Sequence, residues 1–307
     1  MIVLYILAYV ALIACVAIIV AKMVGYLKKP MHLRWEIYPV AHEAPERLKH
    51  GGSYMEELDW WKKPYHSSTL GTLTGFLKEA LFLHATYEHN RPLWVRTYPF
   101  HVGLYLLIGS LGLTVICSFC LMANYLGWFL QLCATLAMLC NVLGFLGVLW
   151  GSLSLIQRRM TQRDLRKYSM PEHFFNLGLF AVFSGLGLIM SIIGPRWFVM
   201  QGAVFFAGML TFKAVPVSAV YVLYLLISFF LFIWVPFSFM GHAFMKYFTW
   251  HDIRWDDVPA QDSKKVQAGI AANLNLPVSW KASHIKGDGK KTWAEVATTD
   301  PTKQDKE

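Results

Sequence analysis

The sequence predicts an all-α membrane protein. It reads as a five-helix transmembrane bundle, N-out/C-in, with an amphipathic surface helix and a cytoplasmic C-terminal tail. Three observations predict it. Hydrophobic residues fill 56% of the 307 positions and charged residues only 15%, where globular domains run near half and a quarter. Mean hydropathy is +0.41, and the apolar residues gather in blocks of the roughly 20 that a helix needs to cross a bilayer. The Lys and Arg residues flank those blocks instead of covering a separate soluble face. A net charge of +9 therefore reads as attraction to lipid head groups and argues against nucleic-acid binding.

The first span covers about 2–24. Met1 is followed at once by apolar residues with no basic region before them, and Lys22, Lys28 and Lys29 come afterwards. That order fits a retained helix with its start outside, not a signal peptide. The segment 25–97 opens basic and closes with Arg91 and Arg96, which suits the cytoplasm. Within it, 69–89 predicts an amphipathic helix capped by Ser68 or Thr69. Leu70, Leu73, Leu77, Ala80 and His84 fall on one face, so the helix is expected to lie on the cytoplasmic membrane surface.

Spans two and three, about 98–122 and 127–156, are joined near Asn124 by an external turn without basic residues. Arg158, Arg159, Arg163, Arg166 and Lys167 mark the next connection as cytoplasmic. The fourth span covers about 174–194. Residues 197–212, bracketed by Pro195 and Pro216, reach only ~24 Å at ~1.5 Å per residue, so they predict an interfacial or re-entrant piece on the outer side. The fifth span covers about 217–245. Residues 1–246, loop 25–97 included, thus read as one membrane domain, and 247–307 as a polar tail suited to partner docking.

The five cysteines, Cys15, Cys117, Cys120, Cys133 and Cys140, all lie inside apolar segments. They read as small buried residues, with no disulfide framework. Of the eleven histidines, His101, His173 and His242 fall inside or at the mouth of apolar helices, where an ionisable side chain is costly and marks a functional candidate. His101 follows Arg96 by five residues and His242 precedes Lys246 by four. Both are therefore expected roughly 6–8 Å inside the inner boundary. Two neutral imidazoles at one depth on two helices suit a low-spin haem iron. The absence of a C-x-x-C-H motif makes that haem b-type. The blander alternative is a membrane histidine satisfied by a neighbouring carbonyl or snorkelling to the interface. His173, just after Pro171 and Glu172, is open to both readings.

Phe100-His101-Val102-Gly103 opening one helix, and Pro236-Phe237-Ser238 with Gly241-His242 closing another, resemble the haem-ligand motifs of the respiratory nitrate reductase gamma subunit. HLRWEIYPVAHE (32–43), YMEELDWWKKP (54–64), KYFTWHDIRWDD (246–257) and SWKASHIKGDGKKTWAEV (279–296) are similar to the membrane cytochrome b subunits of sulfate-reducer redox complexes. Those are the sulfite-reduction-associated and transmembrane heterodisulfide-reductase-like types. The resemblance implies a bacterial or archaeal cytoplasmic-membrane subunit of anaerobic respiration. Such a subunit passes electrons between menaquinone and a cytoplasmic iron–sulfur subunit, alongside a periplasmic cytochrome c and further membrane subunits. It carries His101 and His242 over as axial ligands. The outer haem ligands of the nitrate reductase subunit fall at Leu111 and Tyr224, so one haem b is expected.

Placing that haem near the inner side makes His173 a candidate quinone contact, with an interface histidine as the alternative. Arg96, Arg158 and Arg159 are candidate propionate contacts or simple orientation charges. Trp250, His251, Arg254 and Trp255 are candidate partner contacts, and His84 and His89 are expected to be solvated. The chain has no dehydrogenase cofactor motif and no iron–sulfur cysteine pattern. It is expected to be an electron-transfer subunit of a quinone-linked oxidoreductase, not catalytic alone. The competing classes are a haem-free membrane anchor and a transporter, and the latter lacks the inverted repeat of broken helices that transporters often show.

Overall fold

The structure, a computed structural model, describes residues 1–28, 32–33, 43, 46, 56–64, 68–249, 255–256, 262–280, 285 and 288–300. In chain order its helices are α1 (Ile2–Leu27), α2 (Thr69–Phe82), α3 (His84–His89), α4 (Arg91–Met122), α5 (Trp128–Thr161) and α6 (Arg163–Lys167). They continue with α7 (Pro171–Ile193), α8 (Pro195–Thr211), α9 (Ala219–Phe237), α10 (His242–Thr249), α11 (Lys264–Leu274) and α12 (Trp293–Thr298). Five of them, α1, α4, α5, α7 and α9, are long and apolar enough to cross a membrane. The described residues are thus helical apart from one short strand pair, with five candidate spans, as expected from the sequence.

Two compact units divide the chain. The first comprises Met1–Pro30 and Ser68–Ile253, the second Met31–Ser67 and Arg254–Glu307. The sequence division differs: it keeps 31–67 with the membrane part and starts the tail at 247. In the second unit, β1 (His32–Leu33) pairs in parallel with β2 (Trp255–Asp256), so part of the early loop belongs with the late tail.

The first unit holds the bundle. Helices α4 and α5 run antiparallel and pack almost backbone to backbone, because small residues line their seam. A Cβ added at Gly103 would lie 2.6 Å from the Gly144 carbonyl oxygen, and one at Gly147 2.6 Å from that of Pro99. Close approach of this kind replaces the hydrophobic driving force that helices lack within lipid. Across α5, the fully buried Phe145 packs against Phe183 of α7 at 5.6 Å between ring centroids. Helices α1 and α9 run parallel: Tyr5 donates to the Lys213 carbonyl before α9, and Lys22 reaches the far end of α9. One end of the unit therefore gathers Lys22, Arg96, Arg158, Arg159, Arg163, Arg166, Lys167 and Lys246. Arg196 and Lys213 stand at the opposite end.

The segment expected to be short and non-spanning forms α8. It buries Phe198, Val199, Gly202, Ala203, Phe205 and Gly208 against the half of the bundle away from the basic end. Helix α4 starts at Arg91, earlier than the apolar block suggests. The Asn90 side chain accepts the Leu93 N–H, and Pro92 occupies the first turn, where its missing N–H costs nothing.

The larger departure is in the last span. The helix expected to run to 245 stops at Phe237, and a 3-10 turn, Phe239–Gly241, leads into α10. Pro236 removes one ladder hydrogen bond, and the Ser238 hydroxyl accepts the Met240 N–H, which starts a new helical turn.

Candidate functional site

His101 and His242 come together although 141 positions separate them in sequence. Their ring centroids are 6.1 Å apart with the planes inclined at 58°. His101 sits in the third turn of α4, half-buried beside Phe100, which packs edge-to-face on Phe180 of α7. His242 is the first residue of α10, exposed, just past the break after α9. The sequence places it inside the fifth span; the structure places it beyond that span's end, because Pro236 and Ser238 stop the helix.

Each ring is oriented by its own backbone. His101 Nδ1 is 2.7 Å from the Thr97 carbonyl oxygen and His242 Nδ1 is 3.4 Å from that of Phe239. A carbonyl oxygen only accepts, so these contacts are hydrogen bonds in the tautomer with Nδ1–H, which leaves Nε2 as the nitrogen with a lone pair. That is the tautomer a metal-binding imidazole adopts when a second hydrogen bond fixes its orientation.

The separation also suits a metal between the rings. With metal–imidazole bonds of about 2 Å, His101 and His242 at this centroid separation are the two residues that would hold it. Helices α4 and α9 are not a close-packed pair: α4 packs on α5 and α8, and α9 on α1. Phe100 of α4, Phe180 of α7 and Leu231 of α9 share one buried cluster beside the pair, so a planar cofactor at the histidines would border these side chains. Among the described residues no cluster of three or more His, Cys, Asp or Glu side chains is placed to hold a metal ion, which leaves this pair as the candidate centre.

Residues one turn beyond each histidine tie α2 to the same side. Tyr105, four after His101, donates its hydroxyl to the Ala80 carbonyl at 2.6 Å. Lys246, four after His242, pairs with Glu79 at 3.6 Å. The Ser68 hydroxyl caps α2 by accepting the Gly71 N–H at 3.0 Å, as the sequence predicts. Leu70, Leu73, Leu77 and Leu81 form an exposed row along it, 41–71% accessible.

His173 stands close to the pair's turn, with its ring 5.1 Å from that of Phe239. Its Nδ1 accepts the Met170 backbone N–H at 2.9 Å and closes the first turn of α7, so one nitrogen serves the helix and Nε2–H stays available. Arg96 and Arg159 both lie within electrostatic reach of Arg158. Arg158 donates to Gln162, Arg159 to Ser169, and Arg96 to the Pro92 carbonyl. His84 pairs with Glu88 at 3.2 Å on the surface of α3. Trp250, His251 and Arg254 lie outside the described residues, and of Trp255 only its backbone pairing with His32 is described.

The half of the bundle away from the histidines is filled by aromatic rings. Tyr224 stacks on Phe183 at 5.3 Å and meets Phe198 edge-on at 5.1 Å, while Leu111 is exposed on α4.

Sequence reasoning missed three participants. Tyr105 carries no polar pattern to reveal its reach to α2. Asn176 is buried at the level of the pair and accepts from the Trp234 indole at 2.6 Å. Its amide nitrogen, and the Ser152 hydroxyl two turns from Phe145, have no hydrogen-bond partner among the described residues. Lys22 did leave a signal, as the one charge within an otherwise apolar helix through residue 27. Comparison of the chain with protein-family models, with curated proteins and with solved structures gives no match.

Proposed function

We propose that this chain is the haem b-carrying, electron-transfer subunit of a membrane oxidoreductase complex, with His101 and His242 as the axial ligands. Five apolar helices make it a multi-pass membrane protein in contact with lipid. The observation that carries the reading is the pair itself. Two imidazoles from different helices lie with ring centroids 6.1 Å apart, each with Nδ1 beside a backbone carbonyl oxygen. Haem bound there would supply one-electron redox chemistry.

The chain's own residues would do the rest. Thr97 and Phe239 carbonyls hold the rings in the ligating tautomer, and Tyr105 and Lys246 fasten α2 beside them. Arg96, Arg158 and Arg159 supply positive charge at that end for carboxylates. One haem per chain is the matching stoichiometry, because aromatic side chains fill the opposite half.

The basic end faces the cytoplasm under the positive-inside rule, which puts the amino terminus outside and the tail inside. In that orientation the leucine row of α2 lies on the inner leaflet. Electrons then pass between the menaquinone pool and a cytoplasmic iron–sulfur partner of heterodisulfide-reductase type, with His173 Nε2–H near enough to the pair's turn to meet a quinone carbonyl.

The test is a visible spectrum of the purified chain with haem quantified per polypeptide. The expected result is a reduced b-type α-band and one haem, lost or converted to high spin in His101→Ala and His242→Ala. Full pigment with an unaltered spectrum in either variant would overturn the assignment, and a colourless wild-type chain would favour a haem-free anchor.

A further inference from the structure

We infer that Lys22 is the positioning residue for His242, holding in place the turn that presents this imidazole; the inference rests on the haem reading above. Lys22 is alone among apolar neighbours on α1, and its ammonium is aimed at the end of α9. Nζ lies 2.6 Å from the Pro236 carbonyl oxygen, 2.8 Å from that of Phe237 and 3.3 Å from that of Ser238.

An ammonium has three protons and no acceptor, and all three are spent here. The last carbonyls of a helix have no intrahelical partner, and within or beside hydrocarbon no water replaces it cheaply. A cation at a helix C-terminus satisfies them and matches the negative end of the macrodipole. The Ser238 carbonyl also accepts the Gly241 N–H at 3.3 Å, but without Lys22 the Pro236 and Phe237 carbonyls would recover partners only if the chain continued as helix through 238–241. That continuation would rotate and lift His242 away from His101.

The bonds downstream form one chain of constraint from Lys22 to the ring. Ser238, whose carbonyl Lys22 holds, donates its hydroxyl to the Val235 carbonyl at 3.2 Å and accepts the Met240 N–H at 3.1 Å. The turn is tight enough that a Cβ on Gly241 would meet the Pro236 carbonyl oxygen at 2.9 Å. The Phe239 carbonyl, inside the same turn, accepts from His242 Nδ1. Lys22 therefore acts on the ligand through the backbone it caps and has no contact with the imidazole.

The experiment compares wild type with Lys22→Met, which keeps length and apolar bulk but removes the donors, and Lys22→Arg, which keeps donors and charge. Membrane-extracted full-length protein is assayed for haem per chain and for spin state by optical and EPR spectra. Lys22→Met is expected to lose the low-spin signature in favour of a five-coordinate high-spin one. Its haem affinity should fall about 10–100-fold, the range seen when a ligand's supporting partner is removed. Lys22→Arg should remain low-spin.

If Lys22→Met does not accumulate in the membrane, Lys22→Gln, uncharged but still a donor, is read in the same way, with a partial high-spin fraction expected. A wild-type spectrum and haem content in the uncharged variant would overturn the inference, as would an equal loss in Lys22→Arg. A wild-type chain without haem would instead overturn the underlying reading.

Discussion

Gly103 offers the sharpest test of how the α4–α5 seam sets the histidine geometry. A Cβ there would sit 2.6 Å from the Gly144 carbonyl oxygen and 2.7 Å from the Val148 backbone nitrogen. Both are backbone atoms, which no rotamer change can move. Reaching ordinary contact at 3.4 Å requires α4 to back away from α5 by about 0.8 Å, beyond the ±0.2 Å that defines a sound metal–ligand distance. His101 lies two residues earlier on the same rigid helix, so the displacement is passed to its ring. Overpacking of this kind costs about 1–3 kcal/mol. Gly109 and Gly112, on the same helix, have nothing within 4 Å of an added Cβ, and alanine there gains up to about 1 kcal/mol of helix propensity. Purified Gly103→Ala, Gly109→Ala and Gly112→Ala proteins would be compared by thermal unfolding in mild detergent, with haem counted per chain. Gly103→Ala should be the least stable and carry the least haem. If it equals Gly109→Ala in both measurements, the seam does not set the spacing of the pair.

Three further outcomes are expected. Phe145→Ala empties a fully buried site among Phe183, Phe198 and Tyr224 and should cost about 3 kcal/mol, whereas Leu143→Ala, on the exposed side of α5, should be near neutral in the same unfolding assay. His173→Ala removes the acceptor that closes the first turn of α7, a loss of about 1 kcal/mol. It should leave the low-spin spectrum intact while quinone-linked turnover falls, and unchanged turnover would limit His173 to its capping role. In the tail, the backbone N–H groups of Lys291 and Lys290 hold the Asp288 carboxyl below its ordinary value of 3.8. A depressed folded-state value means the turn's contribution is complete above 3.8 and lost as pH falls through the lower one. Protection of the Lys290 and Lys291 amides, taken relative to the intrinsic exchange rate at each pH, should fall only in that acid range, and protection already lost at neutral pH would contradict it.

The five spans were legible in the sequence because hydrophobic length is a local property that a run of some twenty residues displays by itself. The short length of the 197–212 segment, 17 residues of helix in the structure, was legible for the same reason, and the Ser68 cap of α2 was legible as well. His101 and His242 stood out because an imidazole in an apolar context has few bland explanations, and their pairing at 6.1 Å is what matched flanking charges suggest.

Only the tertiary structure decided how that pair is built. Hydropathy carries straight through 236–241 and does not show the break at Pro236 and Ser238 that moves His242 out of the fifth helix, nor the Lys22 ammonium, 214 positions earlier, on the Pro236 carbonyl. The same holds for Tyr105 on Ala80 and for the aromatic filling opposite the histidines. Each depends on which helix faces which, and that is settled by close packing at small residues such as Gly103, Gly144 and Gly147, a pattern with no directional signal along the chain. Sequence periodicity shows which face of a helix is apolar; the neighbour that covers it is chosen by the bundle as a whole.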